Sequence, residues 1–236
     1  FKDQVPQSVL DKVTEMKLGT FDTDAANKIL DDAGYTKGSD GFRNQLDGTP
    51  VGPITVQIVN GWTDVVTAAQ IISQGLQDIG FDASVSTPDF GVWQSNLQQG
   101  TYDTSLAWST WGATPWNFFH NIFDSTMITD AGVRNGQFMP GWTSPETDQL
   151  LKDYVATADP AARSEIIGKL DDAYVTNVLS SPLSPWPAWF EYSTARFVGW
   201  PSVDQPYAQG SPWEDNSARL VAIAIHCVDA TSCGQS

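Results

Sequence analysis

Between residues 54 and 108 the apolar positions switch repeatedly between the period of a strand and the period of a helix. Ile54-Thr55-Val56-Gln57-Ile58-Val59 alternates in its first half and becomes continuously apolar at its end, as a strand does. Asn60-Gly61-Trp62 breaks it. Thr63 or Asp64 caps a helix whose apolar face is Val65, Ala69, Ile72, Leu76 and Ile79, and Gly80 stops it. Phe81 to Ser86 reads as a second strand. Pro88 and Asp89 open a second helix with Val92, Trp93 and Leu97 inward and Gly100 at its end, and Tyr102 to Trp108 reads as a third strand. Strands alternating with helices imply parallel pairing and right-handed crossovers, so the pattern predicts an α/β fold with a βαβαβ parallel core.

The flanks are less regular. Upstream, Asp22 or Thr23 caps a helix with Ala26, Ile29, Leu30 and Ala33 on one face and Gly34 as its stop. Residues 37–41 and 47–50 read as turns, with Phe42 to Leu46 as a short strand between them. Downstream, Trp111 to Phe123 is aromatic without clear period, and 124–143 reads as a long loop. Ser144 followed by Pro145, and Asp159 followed by Pro160, each announce a helix. The second carries Ile166, Ile167, Leu170, Ala173 and Tyr174 at helical spacing. Beyond Ser180 the chain is rich in proline and tryptophan, and Leu220 to Ile225 is a last strand candidate.

Composition narrows the class. The 236 residues are 41% hydrophobic and 17% charged, enough apolar material for a packed core. No run approaches the roughly 20 apolar residues of a membrane helix. Neither a signal peptide nor a lipid-attachment cysteine stands at the front, which opens Phe1-Lys2-Asp3-Gln4, so a mature or truncated piece is expected. The net charge of −16 repels phosphate backbones and argues against nucleic acid as a partner. Cys227 and Cys233 suit a small disulfide loop in an oxidising, extracellular compartment, the other reading being two free thiols in a frayed tail. With His226 alone beside them they make no zinc site, and no metal or cofactor is expected.

Candidate chemistry follows from the predicted sheet. In open α/β sheets ligands bind beyond the carboxyl ends of the strands. This selects Asn60-Gly61-Trp62 after the first strand and Trp108-Ser109-Thr110-Trp111-Gly112 after the third, with Trp116 and Asn117 close behind. The apolar face of a sugar ring stacks on indole while its hydroxyls take hydrogen bonds, which Asn60, Ser109, Thr110 and Asn117 offer without fixed charge. The same surface suits the apolar side chains of a peptide, and the plain alternative is that the tryptophans fill a core. Trp93, at apolar helix spacing, reads as core. Trp186, Trp189, Trp200 and Trp213 in the tail read either as an interface or as rings folded back on their own domain.

Catalysis finds little support. His120 and His226 are the only histidines and neither belongs to a nucleophile-elbow motif. Glu146, Glu191 and Glu214 are glycosidase carboxylates by residue type alone, and Glu146 is accounted for by a helix first turn. Residues 39–48 lack the acidic alternation of a calcium loop. The reading is a binding protein and not an enzyme. A secreted glycan-active enzyme or carbohydrate-binding module, and a pure interaction scaffold, stand as alternatives.

Several passages carry a family resemblance. Ala25-Ala26-Asn27-Lys28-Ile29-Leu30-Asp31-Asp32-Ala33-Gly34-Tyr35, Ser39-Asp40-Gly41-Phe42-Arg43, Gln74 to Phe81 and Gly100-Thr101-Tyr102-Asp103 resemble, in that order, the family 5 solute-binding proteins of ABC importers, the dipeptide and oligopeptide type. Arg196-Phe197-Val198-Gly199-Trp200-Pro201 and Gln205-Pro206-Tyr207-Ala208 look closer to the oligosaccharide-binding members, some of which take cellobiose-like ligands. The resemblance implies a two-lobed periplasmic-binding-protein type II fold closing by a hinge. Residues 1–180 would form the second lobe. Residues 181–236 would return to a first lobe whose N-terminal part is absent from this chain. It further implies capture of an extracellular oligosaccharide or peptide, delivery to ABC permease subunits, and membrane attachment only through an anchor that the chain lacks. Neutral polar residues and the lack of a charged clamp favour sugar, although Asp64 would serve a peptide's amino terminus.

Overall fold

A computed structural model describes residues 5–108, 114–128, 142–183, 190–208, 210 and 215–229, the side chains of 215 and 216 excepted. The chain divides into two compact units, Phe1–Ser181 and Pro182–Ser236.

The first unit is built around three parallel strands, β1 (Pro53–Gln57), β2 (Asp82–Ser86) and β3 (Thr104–Ser105), in the order β2-β1-β3. β1 pairs with β2 from Pro53 opposite Asp82 to Gln57 opposite Ser86, and with β3 through Val56 and Gln57. Helices α1 (Gln7–Glu15) and α2 (Thr23–Asp32) precede the sheet. Helices α3 (Thr63–Asp78) and α4 (Phe90–Gln99) are its crossovers. Alternation along β1 divides the core: Val56 and Ile58 pack with Ala69 of α3 and with Leu106, while Val59 packs with Trp93 and Leu97 of α4. Each crossover is thus assigned to its own face of the sheet. Asp103 locks the entry of β3, accepting from both the hydroxyl (2.6 Å) and the amide (2.9 Å) of Thr55, and those two bonds hold its carboxyl below the usual range.

Glycines stop both crossovers where the sequence pattern puts them. Gly100 ends α4 in the left-handed conformation (φ 66°). Gly80, at φ 96°, follows α3, and a Cβ there would sit 2.7 Å from Lys37 Cε and 3.3 Å from Gly41 O.

A third layer follows: α5 (Pro115–Phe123), α6 (Pro145–Ala156) and α7 (Pro160–Thr176) pack around Phe119, Ile122, Phe123, Leu151, Ile167 and Leu170. Ser144 and Asp159 accept from the first-turn amides of α6 and α7, as their sequence signatures predict. The second unit contains β4 (Phe197–Val198) antiparallel to β5 (His226–Cys227), and α8 (Asp215–Ala224). Within it Phe190, Tyr192 and Trp200 stack in sequence at 5.7 and 5.3 Å. Cys227 is disulfide-bonded, and Cys233 lies outside the described residues.

Several expectations are corrected. Phe42 to Leu46 is not a strand; it forms two isolated bridges, Lys37 with Arg43 and Asn44 with Pro50. Residues 115–123 are helical. Trp116, Phe118, Phe119, Ile122 and Phe123 pack at helical spacing on one cluster, a short stripe inside the longer aromatic run. Leu220 to Ala224 ends a helix rather than forming a strand. α1 went unpredicted. Ile29 and Val92, assigned inward, are exposed.

Arg43 accounts for the unusual tightness of the non-strand segment. Its side chain is fully buried, yet every nitrogen has a partner. Nε donates to Ile79 O (3.0 Å), Nη2 to Asn27 Oδ1 (2.6 Å), and Nη1 to Asp31 Oδ1 and Tyr35 O. One guanidinium therefore ties the C-terminal ends of α2 and α3 together. Replacing Arg43 with Met leaves these carbonyl and carboxylate acceptors unpaired. The expected loss is about 1–3 kcal/mol in chemical denaturation, since water reaches the exposed Asp31 carboxylate and the neutral acceptors carry the cost, and no measurable loss would refute the clamp.

Asp171 on α7 is opposite in character. Its Oδ2 is buried without a hydrogen-bond partner, and burial pushes the carboxyl up from 3.8 to about 6. The native state therefore binds more protons than the unfolded state between those values, so this group's contribution to stability falls as pH rises from about 4 to 6. Asp171→Asn is expected to flatten that slope and raise stability at pH 7 by about 1 kcal/mol after allowance for solvent screening. Thermal melts of both proteins at pH 4.5 and 7 check it, and equal pH slopes would count against it.

Candidate functional site

The hydrogen-bond ladder between β1 and β2 continues past the strands. Ile58 N–H donates to Ser86 O at 3.0 Å and Asn60 N–H to Pro88 O at 2.9 Å. The two chains therefore leave the sheet side by side, each feeding a helix on a different face. That divergence sets both exits at the carboxyl ends of the parallel strands, where open α/β sheets bind their ligands. Trp62 stands at the N-cap of α3 and Phe90 is the first residue of α4. The third strand delivers Trp108 to the same rim.

These rings meet. Trp108 lies 5.3 Å from Trp62 with planes tilted by 33°, 4.9 Å from Trp93, and 6.4 Å from Phe90 in a near-parallel stack at 11°. Phe90 also touches Trp93 at 5.7 Å. The cluster is graded in depth. Trp93 is 1% exposed, Trp108 is half-buried, and Trp62 and Phe90 are 38% and 46% exposed. The buried indole is also fixed at its polar edge, its N–H donating to Ser105 Oγ at 3.2 Å. The arrangement is a ledge of two wet rings on a dry aromatic base. Asn60 is exposed beside it and has its side-chain amide available for a polar ligand.

The other expected site residues fare differently. Ser109, Thr110 and Trp111 lie outside the described residues. Trp116 packs on the α5–α6–α7 cluster, stacks on His120 at 4.4 Å, and donates its indole N–H to Leu151 O at 3.4 Å. Asn117 is engaged at the start of α5, its Oδ1 accepting from the Thr114 hydroxyl at 3.1 Å. Both are explained by helix packing and capping. His120 is similarly occupied, with Nε2 2.9 Å from Asp124 Oδ2. Asp64 sits in the first turn of α3, where the helix dipole favours a carboxylate. Trp186, Trp189 and Trp213 lie outside the described residues. Phe90 was missed by sequence reasoning. The available signal was its place directly after the second strand's loop, the counterpart of Trp62 after the first.

No group of three or more His, Cys, Asp or Glu side chains suited to a metal occurs among the described residues. No helix among them is long and apolar enough to cross a membrane.

Comparison with known proteins decides the family. The model of the bacterial extracellular solute-binding proteins, family 5 (middle region), matches residues 2–130, more than half of the chain. The chain belongs to this family. A periplasmic oligopeptide-binding protein of an oligopeptide ABC transporter from Thermotoga maritima, solved with mannohexaose bound, is similar to this family 5 chain at 26% identity and a TM-score of 0.79. The match covers 97% of this chain and 42% of the Thermotoga protein. A second Thermotoga structure of the same description gives 26% and 0.76, covering 96% and 42%. An oligopeptide-binding protein from Thermus thermophilus complexed with a pentapeptide shares the fold at 19% identity and a TM-score of 0.55, over 69% of this chain and 29% of its own. No curated protein matches. The family 5 chain thus spans about two-fifths of the Thermotoga protein's length. Its fold is the periplasmic-binding-protein type II architecture, and the family and these neighbours are binding proteins rather than enzymes.

The depth grading makes a testable contrast. Trp93→Ala empties a buried, hydrogen-bonded site and is expected to cost about 3–5 kcal/mol. Trp62→Ala removes a partly wet ring and is expected to cost less than about 1.5 kcal/mol. Urea denaturation of the two variants measures both, and similar losses would place Trp62 in the core.

Proposed function

We propose that the natural protein captures an extracellular oligosaccharide for an ABC importer, using the ring ledge at the strand ends as one wall of its cleft. The observation that carries this reading is the grading of the cluster. Neutral, partly exposed rings are held rigidly at the place where α/β sheets bind ligands. Family membership supports the importer role, and the mannohexaose-bound neighbour supports a glycan as ligand. Asn60 supplies hydrogen bonds to hydroxyls, and Ser109, Thr110 and Trp111, next in the sequence after Trp108, are further candidate contacts by residue type. Trp116 and Asn117 stand further from this reading, since helix packing already employs them.

In the same reading, residues 1–180 are the second lobe and residues 181–236 return to the first. Cys227 and Cys233 close a disulfide loop suited to an extracellular setting, and the protein is held at the cell surface. The cognate partners are ABC permease subunits. A peptide ligand is the second reading, favoured by the oligopeptide-binding descriptions and the pentapeptide complex among the neighbours.

Titration of the protein at its natural length with β-1,4-linked gluco- and manno-oligosaccharides, followed by tryptophan fluorescence, tests the assignment. Saturable change with sugars and none with di- to pentapeptides is expected. The opposite pattern would transfer the site to peptides, and release of reducing ends would make the protein an enzyme.

A further inference from the structure

The geometry points to Phe90 as a ligand-contacting ring that sets the preference of this site for ligands longer than one sugar unit. The inference rests on the oligosaccharide reading above and adds a residue and a selectivity to it.

Three observations carry it. First, Phe90 is nearly half exposed although it begins a helix whose inward residues, Trp93 and Leu97, are buried. One side of the ring rests on Trp93 and Trp108 while the other is left to water. Second, Phe90 and Trp62 flank the same half-buried indole, at 6.4 and 5.3 Å from Trp108. The two wet rings are thus separate landing places sharing one indole as their base, so a single pyranose stacked on one leaves the other in water. Stacking favours ligands with a second apolar face in line with the first. Third, the spacing is enforced. The bonds from Ile58 to Ser86 and from Asn60 to Pro88 hold the two exits in parallel register up to the residues just before the rings. Trp93 underlies both Trp108 and Phe90. The ledge is pre-formed, so the second contact adds affinity without further ordering of the protein.

Phe90→Ala is the test, made in the natural-length protein, with Phe90→Trp as the conservative variant. Isothermal titration with glucose, cellobiose and cellotetraose, and with the mannose series of the same lengths, gives the ratio of oligosaccharide to monosaccharide affinity. Phe90→Ala is expected to lower that ratio roughly fivefold while monosaccharide affinity changes less than twofold. Phe90→Trp is expected to keep or raise the ratio. Thermal melts confirm folding, since an exposed ring at a helix start is removed. An unchanged ratio in a wild-type protein that binds the sugars overturns the role of Phe90 and leaves the oligosaccharide reading intact. Equal loss for monosaccharide and oligosaccharide also overturns it, because Phe90 would then act on the whole site. If the wild-type protein binds no member of either series, the oligosaccharide reading fails and this inference fails with it.

Discussion

Strand β1 is hydrogen-bonded along both edges, to β2 over its full length and to β3 at its end, with the contact to β3 reinforced by the two bonds from Thr55 to Asp103. Neither its register nor its exit can shift by one residue without exchanging the faces of Val56 and Gln57. That constraint propagates. Because odd and even residues of β1 serve different helices, α3 and α4 are held on different faces, and the loops that feed them must part company beyond the sheet. The parting of the two exits is therefore a consequence of strand order and not a feature added to it. The rings at these exits inherit their positions from backbone bonds rather than from flexible loops.

The second support is electrostatic and lies upstream of the sheet. A chain with 28 acidic and 12 basic residues has few cations to place, and it spends one entirely in the interior at Arg43. Burying a guanidinium is tolerable only when its donors are all engaged. Here the carbonyls of Tyr35 and Ile79, the Asn27 side-chain oxygen and the Asp31 carboxylate do this. Since α3 carries Trp62 at its other end, anchoring its C-terminus also limits how the helix tilts against the sheet. The segment that holds Arg43 has no regular structure. Its order comes from side-chain bonds to the main chain, as with Asp47, which accepts from both the hydroxyl and the amide of Thr49.

The parts legible in the sequence are those where one side of an element is wet. α3 shows its stripe because it covers one face of the sheet, and its stop is legible because only glycine fits the turn at Gly80. The caps at Ser144 and Asp159 are legible because they are local chemistry. α5 does carry a helical stripe, Trp116, Phe118, Phe119, Ile122 and Phe123, but it is short and sits in a longer aromatic run from Trp111 that conceals where the period starts. The apolar run at 220–225 fits strand and helix equally, and the helix begins upstream of it at Asp215. At the candidate site the sequence places Trp62 and Trp108 by the strand-end rule. It conveys neither that Trp93 would serve as their floor nor that Phe90 would join them, since both relations cross from one element to another. The family resemblance read from residues 25–103 agrees with the family match over residues 2–130.

The ring cluster also has a meaning for the kind of chemistry the molecule supports. Aromatic stacking interactions are short-ranged and depend on apolar faces, so they discriminate by shape and not by charge. The surrounding chain, at −16, disfavours anions at a distance. A rim made of indole and phenyl, backed by an amide at Asn60 rather than by a guanidinium, adds nothing to reverse that bias. Long-range repulsion and short-range stacking act on different length scales, and both disfavour an anionic guest. Neither term requires a reactive group at the rim.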